Sequence, residues 1–282
     1  MRFDAYAGNV WGGTHCAEVA EVVAIAAHSR VERGRPRGRY TDVWNVKDGA
    51  DVIGWVGRDS QIDTAYFEFK GVRTPDTSGA VRKHWPADHT VSRFDSCEDY
   101  DEAGAFRKLV DVMDRAKDPR VQSKAITPRD GDRGETIYWG SPQSRVMVRV
   151  YEAGKMKERL HFGRPDWARA EAQVRPGKAA EKLMAAKVSP LDVWGFAAWS
   201  RRAAEVLSQV EVERYAMPSD AATFDSTTLY LARAFRRHFE QKQLDFGDWE
   251  CIGRELAAVW AADDAAQTAL DALTRARMGV KH

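Results

Sequence analysis

Four short segments of the chain alternate apolar and polar residues with a period of two, and this alternation constrains the fold more than any other feature. The segments span Ile62–Lys70, Thr90–Tyr100, Arg145–Tyr151 and Trp167–Arg175. Because successive side chains of a β-strand point to opposite faces, each segment has one charged face and one apolar face as a strand. Such strands fit an antiparallel sheet with helices on the apolar side and an open charged side.

Other patterns predict further strands and helices around this sheet. A strand is expected over Arg2–Val10, and a helix is expected over Thr14–Arg30, opened by Thr14 as N-cap. Apolar residues at helical spacing predict another helix over Glu102–Lys117. Weaker strands are expected at Tyr40–Val46 and Val52–Val56. A long loop is expected at Asp118–Gly134, and the first strand of a hairpin at Thr136–Gly140.

The C-terminal third of the chain is almost entirely helical in pattern. Helices are expected at Lys178–Lys187, Pro190–Gln209, Phe224–Gln243 and Asp248–Arg277. The change in pattern near Val188 predicts a boundary between residues 1–188 and residues 189–282. We therefore predict an α+β protein with a central, mainly antiparallel sheet, helices on one face and a helical C-terminal region.

Composition limits the class of protein and the compartment. Hydrophobic residues make up 44% and charged residues 30%, which is typical of a soluble globular protein. No apolar run has the length of a signal peptide or a membrane span, so a cytoplasmic protein is expected. The three cysteines form no Cys-x-x-Cys pair, which argues against a thiolate zinc site. The net charge of +1 does not indicate a nucleic-acid binder, so local patterns must do so.

The most basic local pattern is the segment Arg30–Arg39, which contains five arginines, one glutamate and three helix-breaking residues. It is typical of a mobile basic loop that follows phosphates, with Arg35 and Arg37 as the candidate contacts. A solvated connector explains the same composition equally well.

The charged strand faces also suggest a chemistry. Four acidic residues would lie on these faces, namely Glu68, Asp95, Asp99 and Glu171. Converging carboxylates repel one another unless they share a cation, and oxygen ligands suit Mg²⁺ or Mn²⁺. A metal beside arginines is suited to phosphodiester chemistry, in which a tyrosine can attack phosphorus. A phenol has a pKa near ~10, so Tyr151 would need a base, a metal or a cation such as Arg149 or Lys155.

Each of these residues also has a purely structural explanation. A tyrosine on a strand usually places its ring in the fold and its hydroxyl at the surface. Asp95 and Asp99 with Arg93 also fit a surface ion-pair ladder. The pattern alone therefore predicts a sheet with a polar face and leaves catalysis open.

Four blocks of the sequence resemble the replication initiation factor family, the rolling-circle initiators of small Gram-positive plasmids and filamentous phage. The blocks are Tyr66–Phe69, Arg93–Tyr100, Glu135–Tyr151 and Arg169–Arg175. The part from Tyr138 to Tyr151 is the most distinctive. The resemblance implies an enzyme that nicks one DNA strand at an origin through a covalent 5′-phosphotyrosine intermediate and then rejoins it.

The resemblance also implies roles for individual residues. Tyr151 matches the nucleophile and Arg149 the basic residue beside it. The acidic positions, which would bind Mg²⁺ or Mn²⁺, match Asp95, Asp99, Glu68 and Glu171. The lysine that the family has two residues after the tyrosine is replaced by Ala153, and Lys155 follows slightly later.

Partners and regions follow from the same resemblance. Residues 1–188 would form the nicking domain, and residues 189–282 would serve DNA specificity or self-association. Single-stranded or hairpin origin DNA, a host helicase and a second copy of the chain are the expected partners. Arg93, Arg169 and Arg175 would contact DNA. Two alternatives stay open: an origin- or operator-binding protein without turnover, and a metal nuclease in which Tyr151 stacks on a base.

Overall fold

One antiparallel sheet organises the part of the chain that the computed structural model describes, residues 1–11, 15–59, 64–128, 134–212 and 215. Its strands are β1 (Arg2–Val10), β2 (Arg30–Arg33), β3 (Tyr40–Asp48), β4 (Asp51–Asp59), β5 (Ala65–Lys70), β6 (His89–Asp101), β7 (Ser123–Ile126), β8 (Thr136–Trp139), β9 (Val146–Tyr151) and β10 (Trp167–Val174). They lie in the order β2-β3-β4-β5-β1-β6-β10-β9-β8-β7. All described residues belong to one compact unit, Met1–Ala234.

Helices cover the apolar face of this sheet. They are α1 (Cys16–Ala26), α2 (Thr74–His84), α3 (Ala105–Ala116), α4 (Ala179–Ala185) and α5 (Ala198–Ser208), with 3₁₀ turns at Ala153–Lys155, Lys157–Phe162 and Asp192–Phe196. Leu109 and Met113 of α3 are buried in the same core as Phe94 of β6. The predicted α+β class, with a mainly antiparallel sheet and helices on one face, is confirmed.

The predicted alternation of strand faces is present, but the polar side is less open than expected. On β5, Phe67 and Phe69 are buried whereas Glu68 is half-buried. On β10 every residue is buried, and Arg169 and Glu171 are only 4% and 1% exposed. The polar face therefore includes a buried polar layer along β10.

Two segments that were predicted as loops contain strands. Arg30–Arg33 forms an edge strand paired with β3, so this part of the arginine segment is ordered rather than a mobile loop. Pairing satisfies its backbone groups, and charged side chains suit the edge of a sheet. The rest of the segment makes a turn closed by the pair Arg37 and Tyr40. The predicted loop at Asp118–Gly134 contains β7, whose four residues are all exposed.

The segment between β5 and β6 forms helix α2. Pro75 lies in the first turn of this helix, where a proline is tolerated because the backbone N–H groups there have no partner in the helix.

The described residues cover only the first part of the predicted helical C-terminal region. The helix expected at Pro190–Gln209 is a 3₁₀ turn followed by α5, and Trp194 and Phe196 of that turn lie in the core of the sheet. The helices expected at Phe224–Gln243 and Asp248–Arg277 lie outside the described residues. The division at residue 188 stays a prediction. Within the described ranges, no helix is long and apolar enough to cross a membrane.

Candidate functional site

The register of three neighbouring strands brings most of the predicted site residues together. Tyr151 on β9 pairs with Arg169 on β10, which pairs with Asp99 on β6. Residues directly opposite one another on paired strands point to the same face. In the next row on that face, Glu171 lies between Arg149 and Cys97. These side chains therefore form one polar cluster.

The phenol of this cluster, Tyr151, is buried, with 6% of its surface exposed. Its hydroxyl donates to Glu171 Oε2 over a long contact of 3.4 Å. Burial and the negative charge of Glu171 raise the pKa of Tyr151 to about 12, against the opposing charges of Arg169, Arg159 and Arg149. The phenol is thus neutral at pH 7, and a carboxylate lies next to its proton.

Glu171 is suited to accept that proton. Its Oε1 accepts from Arg149 Nη2 at 2.5 Å, and its other oxygen faces Tyr151. Burial raises the pKa of Glu171 to about 7, with Arg149 opposing the shift and Asp95 and Asp4 adding to it. Glu171 therefore changes its charge near neutral pH, where a general base is most useful.

Arg169 is held in place by carboxylates on two sides. Its Nε and Nη2 donate to Asp99 Oδ1 and Oδ2 at 2.6 and 3.0 Å, and its Nη1 donates to Asp4 Oδ1 at 3.0 Å. Asp99 also accepts from Arg2 Nη2 at 2.9 Å and from Trp167 Nε1 at 2.7 Å. Burial works in the other direction, but these hydrogen bonds and the charge of Arg169 hold the pKa of Asp99 below its usual value.

Asp4 is a member of the cluster that the sequence did not reveal. Simple alternation along β1 puts Asp4 on the side of Tyr6, which is completely buried in the core. However, the pairing with β6 shifts between Phe3 and Ala5. An extra residue at such a bulge changes the side to which the chain points. Asp4 therefore reaches Arg169 on the polar face, and its sequence carried no signal of this.

Arg159 was also missed, and it contacts the ring of Tyr151. Its Cζ is 5.6 Å from the centroid of the Tyr151 ring and 4.9 Å from that of Trp167. The predicted Lys155 instead bonds Glu152 Oε1 at 2.7 Å, with 46% of its side chain exposed. The turn that leads to Arg159 depends on Gly154, where a Cβ would lie 1.7 Å from the Arg164 carbonyl oxygen.

Two guanidinium N–H groups beside Tyr151 have no acceptor. Arg149 Nε and Arg159 Nη1 are both buried and make no hydrogen bond within the described residues. Buried donors without partners are uncommon and costly, so they call for an explanation. An anion brought in by a ligand would supply the missing acceptor.

The four predicted metal ligands do not gather into one group in the described part of the chain. Asp95 accepts two hydrogen bonds from Arg93, and Gln173 Nε2 contacts both of its carboxylate oxygens. Glu68 is paired with Lys70 and accepts from Trp55 Nε1. Moreover, β1 separates Glu68 on β5 from β6. No three His, Cys, Asp or Glu side chains in the described part of the chain have the arrangement of a metal site. Asp95, Asp99 and Glu171 are thus paired with arginines and Glu68 with a lysine, and metal binding by these carboxylates stays a prediction.

Four of the five predicted DNA-binding arginines fall into two groups. Arg93 and Arg175 lie on the polar face near Asp95, and burial and the charge of Arg93 lower the pKa of Arg175. Arg35 and Arg37 are exposed in the turn before β3. Arg169 belongs to neither group because it is buried against Asp99.

Comparisons with known proteins give little independent information. The chain matches no protein-family model and no curated protein. Among solved structures, it is similar to one described as "Structure of Rolling Circle Replication Initiator Protein from Geobacillus stearothermophilus". The similarity covers 68% of this chain and 80% of that chain, with 16% sequence identity and a TM-score of 0.47. A likeness of this extent does not establish a function, which has to be inferred from the polar cluster itself.

Proposed function

We propose that this protein initiates rolling-circle replication by nicking one DNA strand and later rejoining it, with Tyr151 as the nucleophile. The observation that carries the proposal is the arrangement around the phenol. Its hydroxyl contacts Glu171, while Arg149 and Arg159 lie against its ring with buried N–H groups that find no acceptor among the described residues. A base and unused cationic donors beside one hydroxyl are what attack on a phosphodiester requires.

In the proposed nicking step, Glu171 accepts the phenolic proton while the phenol oxygen of Tyr151 bonds to phosphorus. The bond from phosphorus to the 3′ oxygen breaks, and that oxygen leaves as a hydroxyl with a proton from Glu171 or water. The 5′ phosphate stays on Tyr151. Arg149 and Arg159 donate to the phosphate oxygens as negative charge builds up on them. Attack of a 3′ hydroxyl on the phosphotyrosine reverses the step and rejoins the strand.

The expected requirement for Mg²⁺ or Mn²⁺ stays a prediction, since three of the four carboxylates are paired with arginines and Glu68 is paired with Lys70. Nicking measured in EDTA and with each cation tests it. A host helicase, a homodimer, a cytoplasmic location and an origin in single-stranded or hairpin form are further expectations from the family resemblance. None of them is needed for the chemistry at Tyr151.

The test is the formation of a covalent protein–DNA adduct. The full chain is incubated with single-stranded oligonucleotides that tile the replicon carrying its gene, and products that resist denaturant are isolated and mapped. We expect an adduct at Tyr151 and none with Tyr151→Phe. Tyr138→Phe is the matched control, because it removes a hydroxyl from the neighbouring strand β8. An adduct on Tyr151→Phe would place the nucleophile elsewhere.

A second candidate is an origin- or operator-binding protein of the same fold without turnover. The observation in its favour is that Asp95, Asp99 and Glu171 are all satisfied by arginines, as in a purely structural network. This candidate predicts sequence-specific DNA binding with no adduct under any metal condition. The same assay therefore separates the two functions.

A further inference from the structure

Three aromatic rings form a cluster on the polar face of the sheet, on strands β3 to β5. The rings of Tyr40 and Tyr66 stack with centroids 5.0 Å apart and planes 28° apart. The Trp55 ring lies 5.2 Å from Tyr40 and 5.1 Å from Tyr66. All three residues are partly exposed. We call Tyr40, Trp55 and Tyr66 the aromatic cluster.

The aromatic cluster does not belong to the hydrophobic core. Tyr66 alternates along β5 with Phe67 and Phe69, which are fully buried on the other face. Gly57 lies opposite Tyr66, and a Cβ there would come within 2.8 Å of the Trp55 ring and 3.1 Å of Tyr40 Cβ. The rings therefore pack tightly over a position that has no side chain.

Arginines from the turn before β3 border the aromatic cluster. Arg37 Cζ lies 4.8 Å from the Trp55 ring centroid, and Arg39 Cζ lies 5.3 Å from that of Tyr40. Arg39 is paired with Asp59 at 2.9 Å. Arg37 is exposed and bonds only the neutral Asn45, at 3.0 Å, so within the described residues its charge has no carboxylate partner.

We propose that the aromatic cluster and Arg37 form a binding site for the bases and phosphates of single-stranded DNA. Exposed rings can stack on any base because every base has a π-face, and an unpaired arginine beside them attracts the phosphate backbone. Paired bases within a duplex cannot reach the rings, so the site prefers a single strand. Its role in holding the strand that is nicked rests on the proposed function, whereas the binding itself does not.

The aromatic cluster lies on the same face as Tyr151, at a distance that one strand of DNA can span. Glu68 beside the aromatic cluster pairs with Ala7, which pairs with Arg93 on β6. Tyr151 pairs with Arg169, which pairs with Asp99, six residues after Arg93 on β6. Four strand spacings of about 4.8 Å and six residues of roughly 3.3 Å put the two sites on the order of 30 Å apart. At a rise of roughly 3.4 Å per stacked nucleotide, about nine nucleotides cover this distance.

The first test measures the affinity of the full chain for a fluorescent oligothymidylate. Trp55→Leu is expected to weaken binding at least about fivefold, the low end of the effect of losing one stacked base. Trp55→Phe keeps an aromatic face and should bind nearly as well. Arg37→Ala should weaken binding more than Arg120→Ala, which removes an equally positive but 93% exposed side chain elsewhere. Equal affinity of Trp55→Leu and the unaltered protein, or equal binding of duplex DNA, overturns the proposal.

A second measurement does not depend on whether the variants fold. An oligonucleotide containing 5-iododeoxyuridine is photocrosslinked to the unaltered chain, and the modified peptide is identified by mass spectrometry. Crosslinks to Trp55, Tyr40 or Tyr66 support the site, and crosslinks confined to other residues overturn it. If these crosslinks form but no adduct appears at Tyr151, the proposed function fails and the binding site stands. If the adduct forms without them, the binding site fails and the proposed function stands.

Discussion

Replacement of Glu171 with glutamine tests the chemistry proposed for the polar cluster. Burial and the charge of Glu171 raise the pKa of Tyr151 to about 12, well above the pKa of about 7 to which burial raises Glu171. Complete transfer of the proton before attack is therefore unfavourable, and we expect the proton to move as the bond to phosphorus forms. Losing this base should lower the nicking rate by about 10²- to 10⁴-fold.

The nicking rate is expected to depend on pH through the ionisation of Glu171. Glu171 acts as a base only when it is ionised, so the rate should rise with pH and level off above its pKa of about 7. At pH 6 roughly one tenth of the molecules would be ionised, which makes the rate about tenfold lower than on the plateau. Glu171→Gln should remove this rise as well as lower the rate.

The assay is single-turnover adduct formation across this pH range on the origin oligonucleotide. Glu181→Gln is the matched control, because Glu181 is also fully buried and paired with an arginine, Arg145, at 2.7 Å. It should leave the pH profile unchanged. A Glu171→Gln variant that nicks at the normal rate, or a flat profile for the unaltered protein, would refute Glu171 as the base.

Three further predictions concern stability, the cation beside the phenol and the aromatic cluster. Asp99→Asn leaves Arg169 buried with less negative charge, so the free energy of unfolding in urea should fall by about 3–5 kcal/mol. Because the pKa of Asp99 is lowered in the folded protein, its contribution to stability is present above about pH 4 and is lost as the pH falls through the pKa of the folded state. If the stability of the variant fell with acid as steeply as that of the unaltered protein, this would contradict the prediction. Arg159→Ala should slow adduct formation by about 10²-fold and Lys155→Ala hardly at all, and equal effects would favour the lysine. Gly57→Ala should lower the unfolding free energy by about 1–3 kcal/mol and weaken oligothymidylate binding, since the new methyl group meets the indole ring; unchanged binding would argue against the cluster.

The alternation of side chains made the strands and their polar face predictable. Because the period of a strand is fixed, Phe67 and Glu68 could be assigned to opposite faces without any knowledge of the neighbouring strands. The helix α3 was predictable for the same reason, since Leu109 and Met113 recur at helical spacing. Features that depend on one element only were thus accessible from the sequence.

Features that depend on how elements meet were not accessible. The bulge that brings Asp4 to Arg169 arises from the pairing of β1 with β6, more than eighty residues away in sequence. Likewise, β2 becomes a strand only because β3 returns beside it. The choice between Lys155 and Arg159 depends on the direction of a 3₁₀ turn, which the spacing from Tyr151 does not reveal.

Under the proposed function, the charge that matters for binding DNA is that of the polar cluster and not the net charge of the chain. Four arginines contact the cluster around Tyr151, against three carboxylates: Arg2, Arg149, Arg159 and Arg169 against Asp4, Asp99 and Glu171. The Arg93–Asp95 pair beside them adds no net charge. One positive charge therefore remains, and a phosphodiester bound as proposed would carry one negative charge. In the proposed step, moving a proton from Tyr151 to Glu171 leaves the total unchanged, so the cluster and its phosphate would stay neutral together while the phenol becomes a nucleophile. A chain with a net charge of only +1 could accommodate the proposed chemistry because the charges that matter to it are local, partly or fully buried and matched to a single phosphate.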